Sequence, residues 1–339
     1  MKRFRLNRPE LLRPALPLAV FAFFSITISG YASLGNVYSI LESCALIGLI
    51  AAAVGTTMIA GELDLSVSSV AACAGVIAVK SSDLGLVPAV LIATVIGALY
   101  GAIQGWWIHR LAISSLVLTL GTFIGIGGAA YLLADERTII LDLSQLGMAQ
   151  ALRERFWIFS PFSATMLILL LLVGLLLRYT RIGREIYALG GGRHESKAAG
   201  VPQARGMILA FALSGGLASL AGAMASIRAG SAAPGSYGDL LLTGVTAALI
   251  GGVSLYGGRG SMASVILGVL TLQFLLSGLA LQGAAFWAAN LATGAVLLVA
   301  IGIDLAAEDS PARRMLHRLR VSRRNQTAAI TSSQLEGVS

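Results

Sequence analysis

Long apolar runs follow one another along almost the whole chain, and the short segments between them contain most of the charged residues. A helix needs roughly 20 mostly apolar residues, at about 1.5 Å each, to cross a bilayer. Runs that reach or approach this length lie at 14–30, 37–59, 66–80, 86–108, 112–133, 162–178, 206–228, 239–257, 261–281 and 286–304. The pattern predicts an all-α integral membrane protein with about ten transmembrane helices. The runs 66–80 and 162–178 are short, so each is expected to be tilted, extended or partly re-entrant.

Composition supports a membrane protein over a large soluble one. Of the 339 residues, 56% are hydrophobic and only 12% are charged, whereas soluble domains carry about 25% charged residues. So few charges cannot solvate the surface of a soluble protein of this size. The 40 glycines follow no fixed period, and they suit helices that approach one another closely in lipid.

The basic residues predict the orientation of the helices, because cytosolic loops of membrane proteins are enriched in lysine and arginine. With a cytosolic N-terminus and ten crossings, the 24 Lys and Arg all lie on the cytosolic side except Lys80, Arg137, Arg153, Arg155 and Arg228. Losing one span would move a basic cluster to the wrong side. Both termini are therefore predicted to be cytoplasmic. The net charge of +8 comes from these basic loops, which are expected to lie next to membrane lipid. No nucleic-acid partner is expected.

This topology divides the chain into predicted parts. Residues 1–13 form a basic cytoplasmic tail, and 14–306 form the transmembrane domain, with an external loop at 134–160 and a cytoplasmic loop at 178–205. Residues 307–339 form a second cytoplasmic tail, basic and then rich in Ser and Thr, whose end is expected to be disordered. The first apolar run follows basic residues, as in a signal peptide. It is long and no small-residue cleavage site follows it, so a retained helix is expected.

Two carboxylates follow the second run, within residues 61–69. Glu62 and Asp64 lie among apolar residues just before the third predicted helix. Asp64 or Ser66 is placed to cap that helix by accepting bonds from its first free N–H groups. A structural cap is therefore one interpretation. The alternative is a polar turn that helps to gate a pathway on the cytosolic side.

The largest cytosolic loop, residues 183–200, is bounded by glycines and contains a short polar stretch of good helix formers. A short helix with no apolar face needs a partner or remains frayed. The loop is either an ordinary basic connection or a docking helix for a cytosolic partner, and docking explains more of its sequence. The candidate docking residues are Arg184, Arg193, His194, Glu195, Lys197 and Gly200.

Residues 251–261 contain five glycines, which would break a helix and allow a tight turn at the cytosolic face. A phosphate-binding loop is excluded, because the chain contains no Gly-Lys-Ser/Thr triplet. No ATPase site, no catalytic residue and no cofactor is therefore expected. Cys44 and Cys73 lie in apolar runs without a second ligand at metal-binding spacing, so both are expected to be packing residues.

These three segments occur in order with Thr119-Leu120-Gly121-Thr122 of the fifth run. Together they closely resemble the permease subunit of bacterial ATP-binding-cassette (ABC) importers for simple sugars, of the ribose and xylose type. The resemblance covers roughly residues 37–305. The block Gly-Gly-x-Ser-Leu-x-Gly-Gly-x-Gly is intact at residues 251–260. The chain departs from the residues common in the family at Glu62, Ser68, Ser114 and Gly192.

The resemblance implies that two such subunits, identical or related, form a pathway driven by cytosolic ABC ATPase subunits on separate chains. A periplasmic binding protein would deliver the sugar, and residues 184–200 would match the helix that couples the permease to the ATPase. The chain would be a multi-pass protein of the bacterial inner membrane without an ATPase site of its own. The candidate pathway and gating residues are Glu42, Glu62, Asp64, Ser66, Thr119, Gly121, Gly251, Gly252 and Ser254.

Nearly every ionisable residue falls near the end of a run or in a loop, and Glu42 is the main exception. A proton- or sodium-coupled carrier would normally place such residues at mid-membrane. A self-sufficient carrier or channel is therefore the less favoured alternative. A membrane-embedded enzyme is less favoured again, because Glu62 and Asp64 have no base or metal partner nearby. Glu42 is expected to line the external mouth of the pathway, where its carboxylate stays hydrated or bonds sugar hydroxyls.

Overall fold

A computed structural model of the protein describes residues 14–308. The predicted tail 1–13, and the predicted tail 307–339 beyond its first two residues, lie outside the described residues. The described residues divide into two units, 14–297 and 298–308.

The described residues are largely helical. The α-helices are α1 (Ala15–Thr27), α2 (Leu34–Ile59), α3 (Val67–Lys80), α4 (Leu86–Leu111), α5 (Ser115–Leu133), α6 (Leu146–Arg153), α7 (Pro161–Tyr179), α8 (Arg181–Gly191), α9 (Arg193–Ala198), α10 (Gln203–Ala229), α11 (Leu240–Ile250), α12 (Met262–Leu281) and α13 (Phe286–Glu308). Short 3-10 turns lie at Ser82–Leu84 and Leu143–Gln145. The strands β1 (Ile139–Ile140) and β2 (Ser231–Ala232) pair antiparallel.

Seven helices of the described part are long and apolar enough to cross a membrane, namely α2, α4, α5, α7, α10, α12 and α13. The shorter apolar helices are α1, α3 and α11. The prediction of an all-α membrane protein is therefore confirmed. The predicted run 239–257 is wrong at its C-terminal end, because α11 has only 11 residues and ends at Ile250. Beyond it the chain turns at Gly252, whose φ of +87° favours glycine.

Serine side chains begin several of the helices. Ser160 starts α7 and Ser261 starts α12, and each forms a capping box with the serine three residues later. In each case one side chain accepts from a backbone N–H of the first turn, and the later serine accepts the N–H of the capping residue. The starts of α7 and α12 are thus determined by serines close together in the sequence.

The core is built around α10, which packs against α2, α3 and α4. Glycines allow this close approach, since a Cβ atom on Gly101 would overlap the backbone carbonyl of Phe211. On the α3 side, a Cβ on Gly222 would overlap the carbonyl of Ala71. By contrast, α5 lies at the periphery. Only 11% of its most apolar stretch is buried, whereas 67% of that of α10 is buried.

Two polar regions of the protein lie at the two ends of α2. At its C-terminal end lie residues 60–66, the helices α8 and α9, and the turn 251–260, which together we call the α8–α9 end. At its N-terminal end lie α6 and the start of α7, together with the β1–β2 ribbon that Leu141 joins by donating to the carbonyl of Gly230. We call this second region the ribbon end. The predicted loop 134–160 lies here and contains α6, while Phe156 and Trp157 are exposed.

Candidate functional site

The three segments singled out in the sequence meet at the C-terminal end of α2. The N–H of Gly258 donates to the carbonyl of Ile59 at 2.9 Å. A Cβ atom on Gly257 would lie 2.7 Å from the Cα atom of Gly61 and 2.9 Å from that of Gly190. Residues 61–69, 183–200 and 251–260 therefore touch through backbone atoms, and larger residues would force these segments apart.

An ion pair joins two of these segments through their side chains. The carboxylate of Glu62 pairs with the guanidinium of Arg193, the first residue of α9. The side chain of Glu62 is only 6% exposed, whereas that of Arg193 is about half exposed. The sequence predicted a gating role for Glu62 and a docking role for Arg193. The structure brings the two into one contact.

The turn that carries Glu62 is also bonded to α5. The N–H of Leu63 donates to the hydroxyl of Ser115 at 3.5 Å, and the hydroxyl of Thr119 donates to the carbonyl of Leu63 at 3.4 Å. Both hydroxyls belong to the first turns of α5. Thr119 was a predicted gating residue, whereas Ser115 was missed.

Asp64 is buried behind this turn. Its carboxylate accepts the N–H of Ser66 at 3.0 Å, the hydroxyl of Ser66 at 2.6 Å and the hydroxyl of Ser214 on α10 at 2.8 Å. The predicted cap is wrong for Ser66, which begins α3 without a side-chain bond to it. The reason is that a buried carboxylate needs donors, and Ser66 and Ser214 supply them.

A buried amide on α4 extends the polar cluster to α5. Gln104 lies within hydrogen-bonding distance of the Ser66 hydroxyl, at 3.4 Å, and donates through Nε2 to Thr122 at 2.9 Å. The sequence analysis missed Gln104 and Ser214. Their signal was a polar side chain inside an apolar helix, which at membrane depth needs a partner.

The helices α8 and α9 expose one side and bury the other. The predicted docking residues Arg184, Arg193, His194, Glu195, Lys197 and Gly200 are all exposed. Ile186 and Leu189 are buried. Glu185, which the sequence analysis missed, is buried and pairs with Arg181 at 3.1 Å and with Arg205 of α10 at 3.4 Å.

Further bonds hold the two short helices on the protein. The amide of Gln203 donates to the carbonyl of Arg193 at 2.6 Å and to the hydroxyl of Ser196 at 3.1 Å. Tyr187 donates to the carbonyl of Gly260 at 2.7 Å. Burial raises the pKa of Tyr187, so this hydroxyl remains a donor at neutral pH. Anchored on one side, α8 and α9 leave their other side exposed.

The chain is similar to a known family of transport proteins. A family model described as "Branched-chain amino acid transport system / permease component" matches residues 36–301, well over half of the chain. The chain belongs to this permease family. The resemblance predicted from the sequence motifs is thereby confirmed. With seven long apolar helices in the part that the structure describes, the permease is a multi-pass protein of the bacterial inner membrane.

Curated relatives of the permease are components of sugar systems. The L-arabinose transport system permease protein AraH of Escherichia coli is 32% identical, over 85% of this chain and 89% of its own length. The xylose transport system permease protein XylH of Escherichia coli is 28% identical, over 89% and 93%. The ribose import permease protein RbsC of Escherichia coli is 26% identical, over 85% and 91%. No solved structure matches the permease significantly.

The other predicted gating residues of the permease lie in distinct surroundings. Gly251 packs closely on α12, where a Cβ atom would overlap the carbonyl of Ser264, and Gly252 forms the turn already described. Ser254 is buried and accepts the N–H of Tyr256 at 3.3 Å. A Cβ on Gly121, in α5, would meet open space. These residues are therefore not one cluster, while Thr119 contacts the turn that carries Glu62 through the carbonyl of Leu63.

Glu42 of the permease lies at the ribbon end but does not face water. Its carboxylate is buried, accepts the hydroxyl of Ser160 and pairs with Nε of Arg228 at 2.6 Å. The structure thus differs from the expected hydrated carboxylate. The physical reason is that Arg228, at the end of α10, supplies the opposite charge that a buried carboxylate requires.

Proposed function

We propose that the permease forms the transmembrane pathway of an ABC importer for a monosaccharide or a related small polyol. The names of AraH, XylH and RbsC, which are sugar-system permeases related over most of the chain, support this substrate class. A periplasmic binding protein delivers the sugar. A second permease copy, identical or related, completes the pathway.

Energy comes from a cytosolic ABC ATPase on a separate chain. The permease has no Gly-Lys-Ser/Thr phosphate-binding triplet in its sequence, and its family is one of permease components. It therefore acts as a transport subunit without catalysis of its own. Its conformation is switched by nucleotide binding and hydrolysis in the ATPase.

Orientation in the membrane follows the basic residues. With ten helices that cross or enter the bilayer, the α8–α9 end and both termini lie in the cytosol, and the ribbon end faces the periplasm. The cytoplasmic loop 178–205 then contains α8 and α9, and the periplasmic loop 134–160 contains α6. The tails 1–13 and 307–339 are cytoplasmic in this arrangement, and 14–306 form the permease domain.

One observation supports the docking of the ATPase. The six predicted docking residues are exposed on α8 and α9 or, for Gly200, just after α9, and the other side of these helices is anchored to the permease. A surface held in this way can transmit a force from a bound partner. Arg184, His194 and Lys197 supply side chains able to bond acidic or polar groups of the ATPase.

Deleting residues 193–199, or replacing Lys197 with Glu, is expected to remove the ATPase from the complex. The deletion takes away α9, and Glu at 197 repels the acidic groups that Lys197 is proposed to bond, which weakens association roughly tenfold or more. Co-purification of the ATPase with tagged permease from detergent-solubilised membranes measures this. Arg110→Glu, an equal charge reversal at the exposed end of α4, is the control and retains the ATPase. Co-purification of the deletion variant with its ATPase would refute the docking assignment.

A further inference from the structure

The ion pair between Glu62 and Arg193 connects the proposed docking surface for the ATPase with the interior of the permease. Arg193 belongs to α9, on the exposed side proposed to meet the ATPase. Glu62 belongs to the turn between α2 and α3, and its side chain is almost fully buried. A buried carboxylate that loses its cation is left as an uncompensated charge, so the two groups move together or the turn rearranges.

The same turn holds the beginning of α5 by two hydrogen bonds. Leu63, next to Glu62, uses its N–H for Ser115 and its carbonyl for Thr119. Of the helices that contact α3, α5 is the one with little of its apolar stretch buried. A contiguous set of contacts therefore leads from Arg193 through Glu62 and Leu63 to a helix of which the core buries little.

The surroundings of the ion pair leave room for movement. A cavity of about 490 Å³ lies beside it, lined by Glu62, Arg193 and Leu255 and by residues 112–116 of the α4–α5 connection. On the other side, Gly61, Gly190 and Gly257 touch without side chains. The turn can therefore shift without displacing large side chains on either side.

We propose that the Glu62–Arg193 ion pair is the link through which movement of α9 reaches α5 and opens or closes the pathway. This inference rests on the proposed function, in which α8 and α9 dock the ATPase. When the ATPase displaces α9, the guanidinium draws the buried carboxylate with it. The turn 60–66 follows, and its bonds to Ser115 and Thr119 move the start of α5. Glu62 and Arg193 are positioning residues, since neither needs to touch the sugar. Glu62 stands where glycine is common in the family, so the link is a feature of this chain.

The test replaces Glu62 with Gln, which keeps the size of the side chain and removes its charge. The permease–ATPase complex with its binding protein is reconstituted in liposomes, and sugar moved per ATP hydrolysed is measured. We expect Glu62→Gln to keep the ATPase bound and ATP hydrolysis intact, while sugar moved per ATP falls about fivefold or more, the lower end of typical coupling between two sites. Arg193→Gln gives a similar loss, and Arg193→Lys, which keeps the charge, gives a smaller one.

The double variant Glu62→Gln/Arg193→Gln distinguishes a shared contact from two separate effects. If both residues act through one ion pair, the double variant transports no less per ATP than either single variant. Arg110→Gln, at the exposed end of α4, is the matched control and couples as the unaltered complex does. Monodispersity on size-exclusion chromatography confirms folding. If Glu62→Gln fails to fold, Arg193→Gln carries the test, provided that co-purification shows the ATPase fully bound, because Arg193 is also a proposed docking residue.

Three results would overturn the link while leaving the proposed function intact. They are unchanged coupling in both single variants, losses that add in the double variant, and loss of the ATPase from the Glu62→Gln complex. A different result separates the two proposals. If the unaltered permease moved sugar without any ATPase, the proposed function would fail, and the link would fail with it.

Discussion

Replacing Gly101 with Ala is expected to prevent the permease from reaching a stable folded state. Gly101 lies on the side of α4 that faces α10, and a Cβ atom there would overlap the backbone carbonyl of Phe211. A carbonyl within a helix cannot rotate away as a flexible side chain can. The two helices must therefore separate, and they also lose the close contacts of Gly97 and Gly105 with α10.

Overpacking of this kind costs about 1–3 kcal/mol for a single site, and more where backbone must move. We expect a large fall in the monodisperse fraction on fluorescence-detected size-exclusion chromatography, and a lower thermal midpoint for what remains. Gly294→Ala is the control, since a Cβ there meets nothing within 4 Å and alanine favours the helix. Equal stability of the Gly101→Ala and Gly294→Ala proteins would show that α4 and α10 do not pack as described.

Removing Arg228 is expected to destabilise the ribbon end strongly. Arg228→Ala leaves the buried Glu42 without its cation, with the hydroxyl of Ser160 as its remaining bond. Loss of one partner of a buried ion pair costs about 3–5 kcal/mol. The pair joins the N-terminal half of α2 to the end of α10, and Ser160 adds the start of α7. The thermal midpoint of the purified permease should therefore fall by several degrees or more.

A double variant separates loss of the pair from loss of the arginine side chain itself. Glu42→Gln/Arg228→Gln removes both charges, so it should recover a large part of the stability lost in Arg228→Ala. Arg137→Ala is the control, because Arg137 pairs with Asp135 at the surface and its side chain is 77% exposed. Exposed pairs contribute little. A midpoint for Arg228→Ala equal to that of Arg137→Ala would contradict the buried pair.

Local sequence was sufficient to predict the helices. A continuous apolar run in lipid satisfies all its backbone groups as a helix, without reference to other segments. The same reasoning failed at 239–257, where hydropathy continued past Ile250 but the glycines ended the helix. Gly251 and Gly252 were visible in the sequence as helix-breaking residues, and they were the better guide to where this helix ends.

Pairings between distant residues could not be predicted in the same way. Glu42 and Arg228 are 186 positions apart in the numbering, and each was interpreted alone, so a hydrated carboxylate was expected where the structure has a buried ion pair. Glu62 and Arg193 were likewise assigned to separate roles before the structure joined them. For Asp64 the expected bond to an N–H at the start of α3 is present, but its other partner, Ser214, lies on another helix and was not predicted.

The three motifs nevertheless lie together in the structure. The three glycine-containing segments were selected for their composition, and they meet at one end of α2 because only glycine lets backbones touch at Gly61, Gly190 and Gly257. The exposed residues of α8 and α9 lie beside this contact. The proposed docking surface and a buried turn are thus neighbours, as the proposed coupling between an ATPase and a pathway requires.

Transport by purified components tests the central claim most directly. The permease is reconstituted in liposomes with and without its ATPase, with the binding protein present, and uptake of radiolabelled D-ribose, D-xylose and L-arabinose is followed. We expect accumulation of one such sugar against its gradient only when the ATPase and ATP are both present. Accumulation by the permease alone, driven by a proton or sodium gradient, would contradict a pathway that is switched by another chain's nucleotide hydrolysis.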